Sequence, residues 1–197
     1  MVGGDPARSV QRARDDDGGP ATGDGCRRGH AAAVVRSHDQ LLDAALPWLE
    51  SGLAAGDLTV LSCDEETADL LRAQVGPAGA ALVSEPRVSL RNVRPPDALV
   101  ATRRLLARAA ESGSGRLRVL GGAEFGPAPR DWREAQRYES VLNRLLATAP
   151  IEALCLYDER RLPEQAVLSA RSTHPQLLTD GVLVENPARW LAWDPSS

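Results

Sequence analysis

Short apolar stretches alternate with longer amphipathic ones along the chain, and this alternation limits the fold more than any other feature. The apolar stretches predict strands at 31–35, 58–62, 81–84, 117–120 and 151–157, and apolar side chains at helical spacing follow each of them. The strands are apolar on both faces, so both faces of their sheet must be covered by helices. The sequence therefore predicts an α/β fold of three layers, α/β/α, with a mostly parallel central sheet.

Capping residues mark where several helices begin. Ser37 followed by Gln40, and Asp131 followed by Glu134, have the spacing of a capping box. Asp64 can cap the second helix through its carboxylate. These residues predict helices that begin just after positions 37, 64 and 131. Residues 182–184 are predicted to add a last strand.

The length of 197 residues suits one domain of ordinary size. Residues 1–28 are predicted to be a disordered tail, because they contain almost nothing apolar and their Arg and Asp charges cancel. Residues 29–190 are predicted to form the single domain, followed by a short C-terminal tail at 191–197. No apolar run approaches a membrane span and no signal peptide is visible, so we expect a cytoplasmic protein without a membrane partner. The net charge of -4 argues against direct binding of nucleic acid.

All 23 positively charged residues are Arg, and the chain contains no Lys. A P-loop needs a Lys ammonium on the terminal phosphates, and a Schiff-base enzyme needs a Lys amine. The segment LCLYDE at 154–159 has the form of a Walker B strand, but no Walker A motif accompanies it. ATP hydrolysis is therefore disfavoured, whereas a nucleotide-shaped pocket that has lost hydrolysis stays open. Whether the chain is an enzyme of another kind is not decided by these absences.

Ligands of open parallel sheets bind beyond the carboxyl ends of the strands, so residues that follow strands are candidates for a site. Glu124 and Asp158 lie at such ends. Glu139 and Asn143 share one face of the fourth helix, and the amphipathic pattern alone places them in solvent. No metal site is predicted, because the C-x3-H spacing of Cys26 and His30 has no second ligand pair.

Two further cysteines, Cys63 and Cys155, are predicted to be buried small residues near strand ends. A hydrolase that uses one of them with His38 or His174 would need a proximity that spacing does not establish.

Five segments in the same order resemble one known family. They are His30 with its short strand, LPWLESGLAAGDLTVL at 46–61, the strand with Gly122 and Glu124, WREAQRYESVLN at 132–143, and LCLYDERRLPEQAVLSARSTHP at 154–175. Together they are similar to the methanogen/methylotroph, DcmR-type sensory domain family, MEDS, over about residues 29–187. The resemblance implies a RecA/KaiC-like fold without a P-loop, with a degenerate nucleotide site.

The same resemblance implies a sensory role in signal transduction and transcription regulation, with a small-molecule ligand such as a chlorinated hydrocarbon. It implies seven ligand-binding residues and names no catalytic residue or cofactor. These residues are His30, Glu124, Glu139, Asn143, Tyr157, Asp158 and His174. We expect them to bind the ligand at the carboxyl end of the sheet. Because we expect no output domain in this chain, the signal would pass to a separate anti-sigma regulator, kinase or transcription factor.

Two alternatives stay open at this point. The chain could be a hydrolase or transferase that uses the strand-end carboxylates with a His. It could also be an interaction protein without a ligand, for example a homodimer joined along a sheet edge or a helix face. Turnover would identify the enzyme, whereas loss of assembly on changing an exposed apolar face would identify the interaction protein.

Overall fold

A computed structural model describes residues 29–89, 93–124 and 129–187, with side chains omitted at 129–132. Within these ranges the chain forms seven strands and five helices. The strands are β1 (His30–Val35), β2 (Leu58–Ser62), β3 (Val83–Ser84), β4 (Leu117–Gly122), β5 (Ile151–Asp158), β6 (Gln176–Thr179) and β7 (Val182–Glu185). The helices are α1 (His38–Ala54), α2 (Glu65–Val75), α3 (Pro95–Ala110), α4 (Pro129–Thr148) and α5 (Glu164–Thr173).

All seven strands belong to one sheet, in the order β3-β2-β4-β5-β1-β6-β7. Every neighbouring pair is parallel except β6 and β7, which form an antiparallel hairpin. Asp180 and Gly181 connect the hairpin with φ angles of 48° and 76°, as a tight turn of the primed type requires. The predicted α/β fold with a mostly parallel sheet is confirmed.

Helices cover both faces of the sheet, and alternate residues of each strand point to opposite layers. One face packs Ala31, Leu120 and Leu154 against α1 and α2. The opposite face packs Val119, Ile151 and their neighbours against α3 and α4. Further along this second face, Ala32 and Tyr157 pack against α5. The second face therefore carries three helices, and α4 and α5 meet over β1 and β5.

The capping predictions are confirmed at Ser37 and Asp64. The Ser37 side chain accepts from the N–H of Gln40, and the Asp64 carboxylate accepts from the next turn of α2. The prediction at Asp131 was wrong, because α4 already begins at Pro129. Proline suits a first helical turn, where its missing N–H is not needed.

Two other boundaries differ from the predicted ones. β3 contains only Val83 and Ser84, because a 3₁₀ turn over Gly76–Ala81 occupies the start of the predicted strand. Before β7 lies β6, a strand that the sequence did not predict. The predicted tails at 1–28 and 191–197 lie outside the described residues. Within the described part of the chain, no helix has the length and apolar character needed to cross a bilayer.

An ionic network lies at the amino end of the sheet, on the face covered by α1. The Nε atom of Arg118 donates to Asp57 at 3.0 Å, and its Nη2 lies 3.1 Å from a Glu152 carboxylate oxygen. The Arg118 guanidinium stacks 4.7 Å from the centre of the Trp48 ring. Gly52 of α1 leaves room for the Arg118 side chain, since a Cβ there would collide with it. The network ties α1 to β4, to β5 and to Asp57, the residue that precedes β2.

Candidate functional site

The pairing of β1 with β5 brings His30 and Cys155 together. His30 lies beside Ala153, and Ala32 lies beside Cys155, so His30 and Cys155 are diagonal neighbours on one face of the sheet. This is the face that α4 and α5 cover. The Nε2 atom of His30 is 3.2 Å from the Cys155 sulfur.

Helix α4 supplies two polar side chains to the same place. Glu139 Oε2 lies 3.3 Å from His30 Nε2, and Asn143 Oδ1 lies 2.8 Å from His30 Nδ1. The expectation that Glu139 and Asn143 face solvent was wrong. Glu139 and Asn143 lie next to Tyr138 and Leu142 on the side of α4 that packs against the sheet. Glu139 is buried together with Tyr138 and Leu142.

His174 completes the cluster from the residue that follows α5. Its ring is buried, lies 4.1 Å from the His30 ring between centroids, and meets the edge of Tyr157 at 5.5 Å. Its Nδ1 donates to the carbonyl of Ala170 at 2.9 Å. Its Nε2 lies 3.7 Å from Glu139 Oε2, which is too far for a hydrogen bond. The two rings therefore face the Glu139 carboxyl from adjacent positions.

The hydrogen-bond partners determine the tautomer of each neutral ring. The Thr173 carbonyl can only accept, so the Asn143 amide nitrogen faces it at 2.8 Å and the amide oxygen faces His30. His30 Nδ1 must then carry a proton. His174 Nδ1 also carries one, because its partner is a backbone carbonyl. In both rings Nε2 therefore presents a lone pair towards Glu139 and Cys155.

Burial keeps the cluster close to electrical neutrality at neutral pH. It lowers the pKa of His30 to about 4 against the opposing hydrogen bond with Asn143. Burial, with the neighbouring His30, also holds the pKa of His174 well below its usual value. In the opposite direction, burial raises the pKa of Glu139 to about 8 and that of Cys155 well above its usual value. The histidines are then uncharged, and Glu139 and Cys155 are predominantly protonated.

A cavity of about 50 Å³ adjoins this cluster, between the sheet and helices α3 and α4. Glu139 and Cys155 belong to both the cluster and the cavity wall, which is mainly apolar. The residues that line the cavity are Ser62, Val88, Ser89, Thr102, Val119, Gly121, Gly122, Ala123, Glu124, Tyr138, Glu139, Leu142, Leu146, Ile151, Ala153 and Cys155.

Five of the seven predicted ligand-binding residues come together in the structure. They are His30, Glu139, Asn143, Tyr157 and His174. The expected position at the carboxyl end of the sheet holds for Tyr157, near the end of β5, but not for His30, which opens β1. The cluster lies on the sheet face beneath α4 and α5.

Glu124 and Asp158 lie apart from the cluster, near the carboxyl ends of β4 and β5. Asp158 accepts two hydrogen bonds from the Arg160 guanidinium, and these hold the pKa of its carboxyl below the usual value. Glu124 is half-buried and lines the cavity, and with Asp158 it also lines a separate depression of about 180 Å³. Sequence reasoning missed Cys155 as a member of the cluster. Its position two residues before Tyr157, on the same strand face, was the available signal.

The cluster has three chemical capabilities. The row Cys155, His30, Asn143 has the order of a nucleophile, a base and a group that orients the base. Two imidazole lone pairs, a carboxyl and a thiol can also ligate a metal ion. Finally, the protonated Glu139 can donate a hydrogen bond to a ligand or to a histidine nitrogen.

The structure is thus an α/β domain with a buried polar cluster beside a small, mainly apolar cavity. The family model described as MEDS, MEthanogen/methylotroph, DcmR Sensory domain, matches residues 29–175. The chain therefore belongs to the MEDS sensory domain family, as the sequence predicted, and this membership implies a sensory or signalling role. The matched range begins just before His30 and ends just after His174. A search of curated proteins found no match.

Proposed function

We propose that this chain is a sensory domain that binds a very small, mainly apolar ligand in the cavity beneath α3 and α4. The observation that supports this most is the size and lining of the cavity. A cavity of about 150 Å³ accommodates benzene, so one of about 50 Å³ suits a molecule of one or two carbons. Such a molecule is too small for recognition by shape alone and needs a polar or polarisable contact at one end.

The polar atoms of the cavity are unequally available to a ligand. Thr102 donates its hydroxyl to the Ala98 carbonyl, and Tyr138 donates to the Val88 carbonyl. By contrast, Glu139 Oε2 is buried without a hydrogen-bond partner among the described residues. The cavity is therefore apolar along its length, and Glu139 marks the end at which a ligand would be recognised.

The first experiment is a thermal-shift titration with dichloromethane, the type of molecule that the family resemblance suggests. A ligand at 100 times its Kd should stabilise the fold by about 2.7 kcal/mol, which is a rise in Tm of several degrees. Benzene is the control, because it is apolar but needs a larger cavity. A second control is Ala153→Val, which fills the cavity, compared with Ala107→Val on the exposed side of α3.

A Tm rise with dichloromethane that disappears in Ala153→Val would support the proposal. An equal rise in Ala153→Val, or an equal rise with benzene, would place binding elsewhere. No rise with dichloromethane, methanol or chloroform would remove the support for a one-carbon ligand.

The transmission of the signal is part of the same proposal. Ligand binding must favour one of two conformations, since equal affinity for both would transmit nothing. We propose a separate regulatory protein as the receiver, namely an anti-sigma regulator, a kinase or a transcription factor. The RecA/KaiC-like relationship, the degenerate nucleotide site and the homodimer stay predictions. Titration with ATP and light scattering of the purified chain test the nucleotide site and the homodimer.

A cysteine hydrolase is the second candidate, because Cys155, His30 and Asn143 lie in contact in the required order. The electrostatics disfavour it, since burial and the neighbouring Glu139 hold the pKa of Cys155 well above its usual value. Hydrolysis of p-nitrophenyl acetate by the wild type, lost in Cys155→Ser and retained in Cys63→Ser, would favour this candidate. A hydrolase or transferase that uses the strand-end carboxylates has less support, because the Asp158 carboxylate already accepts two hydrogen bonds from Arg160.

A further inference from the structure

Four potential metal ligands converge at the centre of the cluster. The ligand atoms of His30, Glu139, Cys155 and His174 all lie within 4.8 Å of one another. Glu139 Oε2 and His174 Nε2 are buried and have no hydrogen-bond partner among the described residues. Buried polar atoms in proteins are nearly always satisfied, so these two atoms favour a partner that the described protein groups do not supply.

Three of the six separations between the ligand atoms suit a tetrahedral ion, and the other three are within 4.8 Å. An ion with bonds of about 2.0 to 2.3 Å holds its ligand atoms roughly 3.3 to 3.8 Å from one another. His30 Nε2 is 3.2 Å from the Cys155 sulfur and 3.3 Å from Glu139 Oε2, and His174 Nε2 is 3.7 Å from the same oxygen. These three edges of the tetrahedron are already near their final lengths.

The outer contacts of both histidines are those of metal-bound imidazoles. A ligating histidine donates its second N–H to a carbonyl or a carboxylate, which orients the ring. His30 donates to the Asn143 amide oxygen and His174 to the Ala170 carbonyl. Asn143 is itself held by the Thr173 carbonyl. In both rings Nε2, the nitrogen nearer to Glu139, thereby keeps its lone pair for an ion.

Charge selects the class of ion. A thiolate and a carboxylate together carry two negative charges, which a divalent cation neutralises in a buried site. A bound metal deprotonates a coordinating thiol, so the protonated state of the free Cys155 does not oppose ligation. Nitrogen and sulfur ligands disfavour Mg²⁺ and Ca²⁺, whereas a mixed N, S and O set suits zinc and its neighbours.

We propose that His30, Glu139, Cys155 and His174 bind one divalent transition-metal ion, with Zn²⁺ as the best fit. This replaces the expectation, drawn from the sequence, of no metal site. The proposal stands apart from the proposed ligand cavity, because the four residues can hold an ion whether or not the cavity is occupied. Two of them, Glu139 and Cys155, also line the cavity, so a cavity ligand would lie beside the metal.

The test uses untagged full-length protein, stripped with a chelator and titrated with Zn²⁺ against a fluorescent zinc indicator. We expect one Zn²⁺ per chain with a Kd below about 0.1 µM, the range of structural zinc sites. Reconstitution with Co²⁺ should give a sulfur-to-cobalt charge-transfer band, which reports directly on a cysteine ligand.

Matched variants identify the ligands. Cys155→Ser should remove the charge-transfer band, and Glu139→Gln and His174→Gln should each weaken Zn²⁺ binding by at least about 100-fold. The controls are Cys63→Ser and the exposed His38→Gln, which should bind like the wild type. Circular dichroism of each metal-free variant separates loss of a ligand from loss of the fold. Glu139→Gln is the variant most suited to stay folded, because it preserves the shape of the side chain.

Two outcomes would overturn the metal site. One is a folded wild-type protein that binds neither Zn²⁺ nor Co²⁺ more tightly than Glu139→Gln does. The other is a site that survives all three ligand substitutions, since the ion would then be bound elsewhere. Neither outcome bears on the dichloromethane titration of the metal-free protein, so the metal site and the cavity ligand can fail separately.

Discussion

Replacing Arg118 by Met should destabilise the fold by about 3 kcal/mol. Removing one partner of a buried ion pair costs about 3 to 5 kcal/mol, because a charge is left behind in a poorly solvated place. The side chains of Arg118, Asp57 and Glu152 are only 5%, 2% and 7% exposed. We expect the lower end of the range because Asp57 keeps its contacts with Arg116 and Ser114. For a chain of this size, 3 kcal/mol corresponds to a fall in Tm of about 6 to 12 °C.

The matched control is Arg116→Met. Arg116 binds the same carboxylate as Arg118, but its side chain is 40% exposed, and exposed pairs contribute at most about 1 kcal/mol. Urea unfolding followed by circular dichroism gives both free energies. Arg118→Met combined with Asp57→Asn and Glu152→Gln should recover part of the loss, because no buried charge is then deprived of this cation. If Arg118→Met lowers the free energy of unfolding no more than Arg116→Met does, burial does not increase the contribution of Arg118 to stability. The argument from burial would then be refuted.

Two further predictions concern the Arg118 network, and two concern the cluster around His30. Gly52→Ala should lower the free energy of unfolding by about 1 to 3 kcal/mol, because the new Cβ collides with the fixed Arg118 side chain. This loss should exceed the gain from the higher helix propensity of Ala. Equal or higher stability in urea would refute the prediction. Burial would raise the pKa of Asp57, but its hydrogen bonds outweigh burial and lower that pKa below the usual 3.8. The free energy of unfolding should therefore fall as the pH drops below 3.8 towards the pKa of the folded state. In an acid titration, Asp57→Asn should lose less of this free energy than the wild type. Cys155 should resist iodoacetamide at pH 7 until urea unfolds the chain, as mass spectrometry of the labelled peptides would show, and rapid labelling of the native protein would instead favour the hydrolase. Asn143→Ala should weaken Zn²⁺ binding about 10-fold to 100-fold without changing the stoichiometry, measured by indicator competition, and an unchanged Kd would show that His30 needs no orienting partner.

The alternation of strand and helix was sufficient to predict the sheet and its layers, because each apolar strand has to be covered on both sides. The hairpin of β6 and β7 was predicted only in part. The sequence predicted a strand at 182–184 but not β6. The dipeptide Asp180-Gly181, which is typical of a turn between antiparallel strands, was the signal that could have added it. The start of α4 was misplaced for a different reason. Asp131 has the chemistry of a cap, but Pro129 already supplies a favourable first turn.

The sequence predicted most of the residues of the candidate site, but it did not predict where in the fold they come together. The family resemblance named His30, Glu139, Asn143 and His174, but periodicity places polar residues of a helix in solvent. Glu139 is buried because its partners come from positions more than thirty residues away in either direction, and hydropathy patterns do not register such contacts. Cys155 was missed because its role depends on which strand lies beside β5. Once β1 is known to pair there in parallel, strand alternation alone puts Cys155 next to His30.

The division of the cluster between elements suggests how binding could be transmitted. The His174 ring is held by the Ala170 carbonyl of α5, whereas the His30 ring, on β1, is held by Asn143 of α4. Glu139 has no hydrogen-bond partner of this kind among the described residues, and it belongs to α4, which also supplies a wall of the cavity. A ligand or an ion that attracts the Glu139 carboxyl therefore acts on α4, and through Asn143 of the same helix on the His30 ring. Because only a differential interaction can shift a conformational equilibrium, α4 is the element in which we expect the bound and free states to differ.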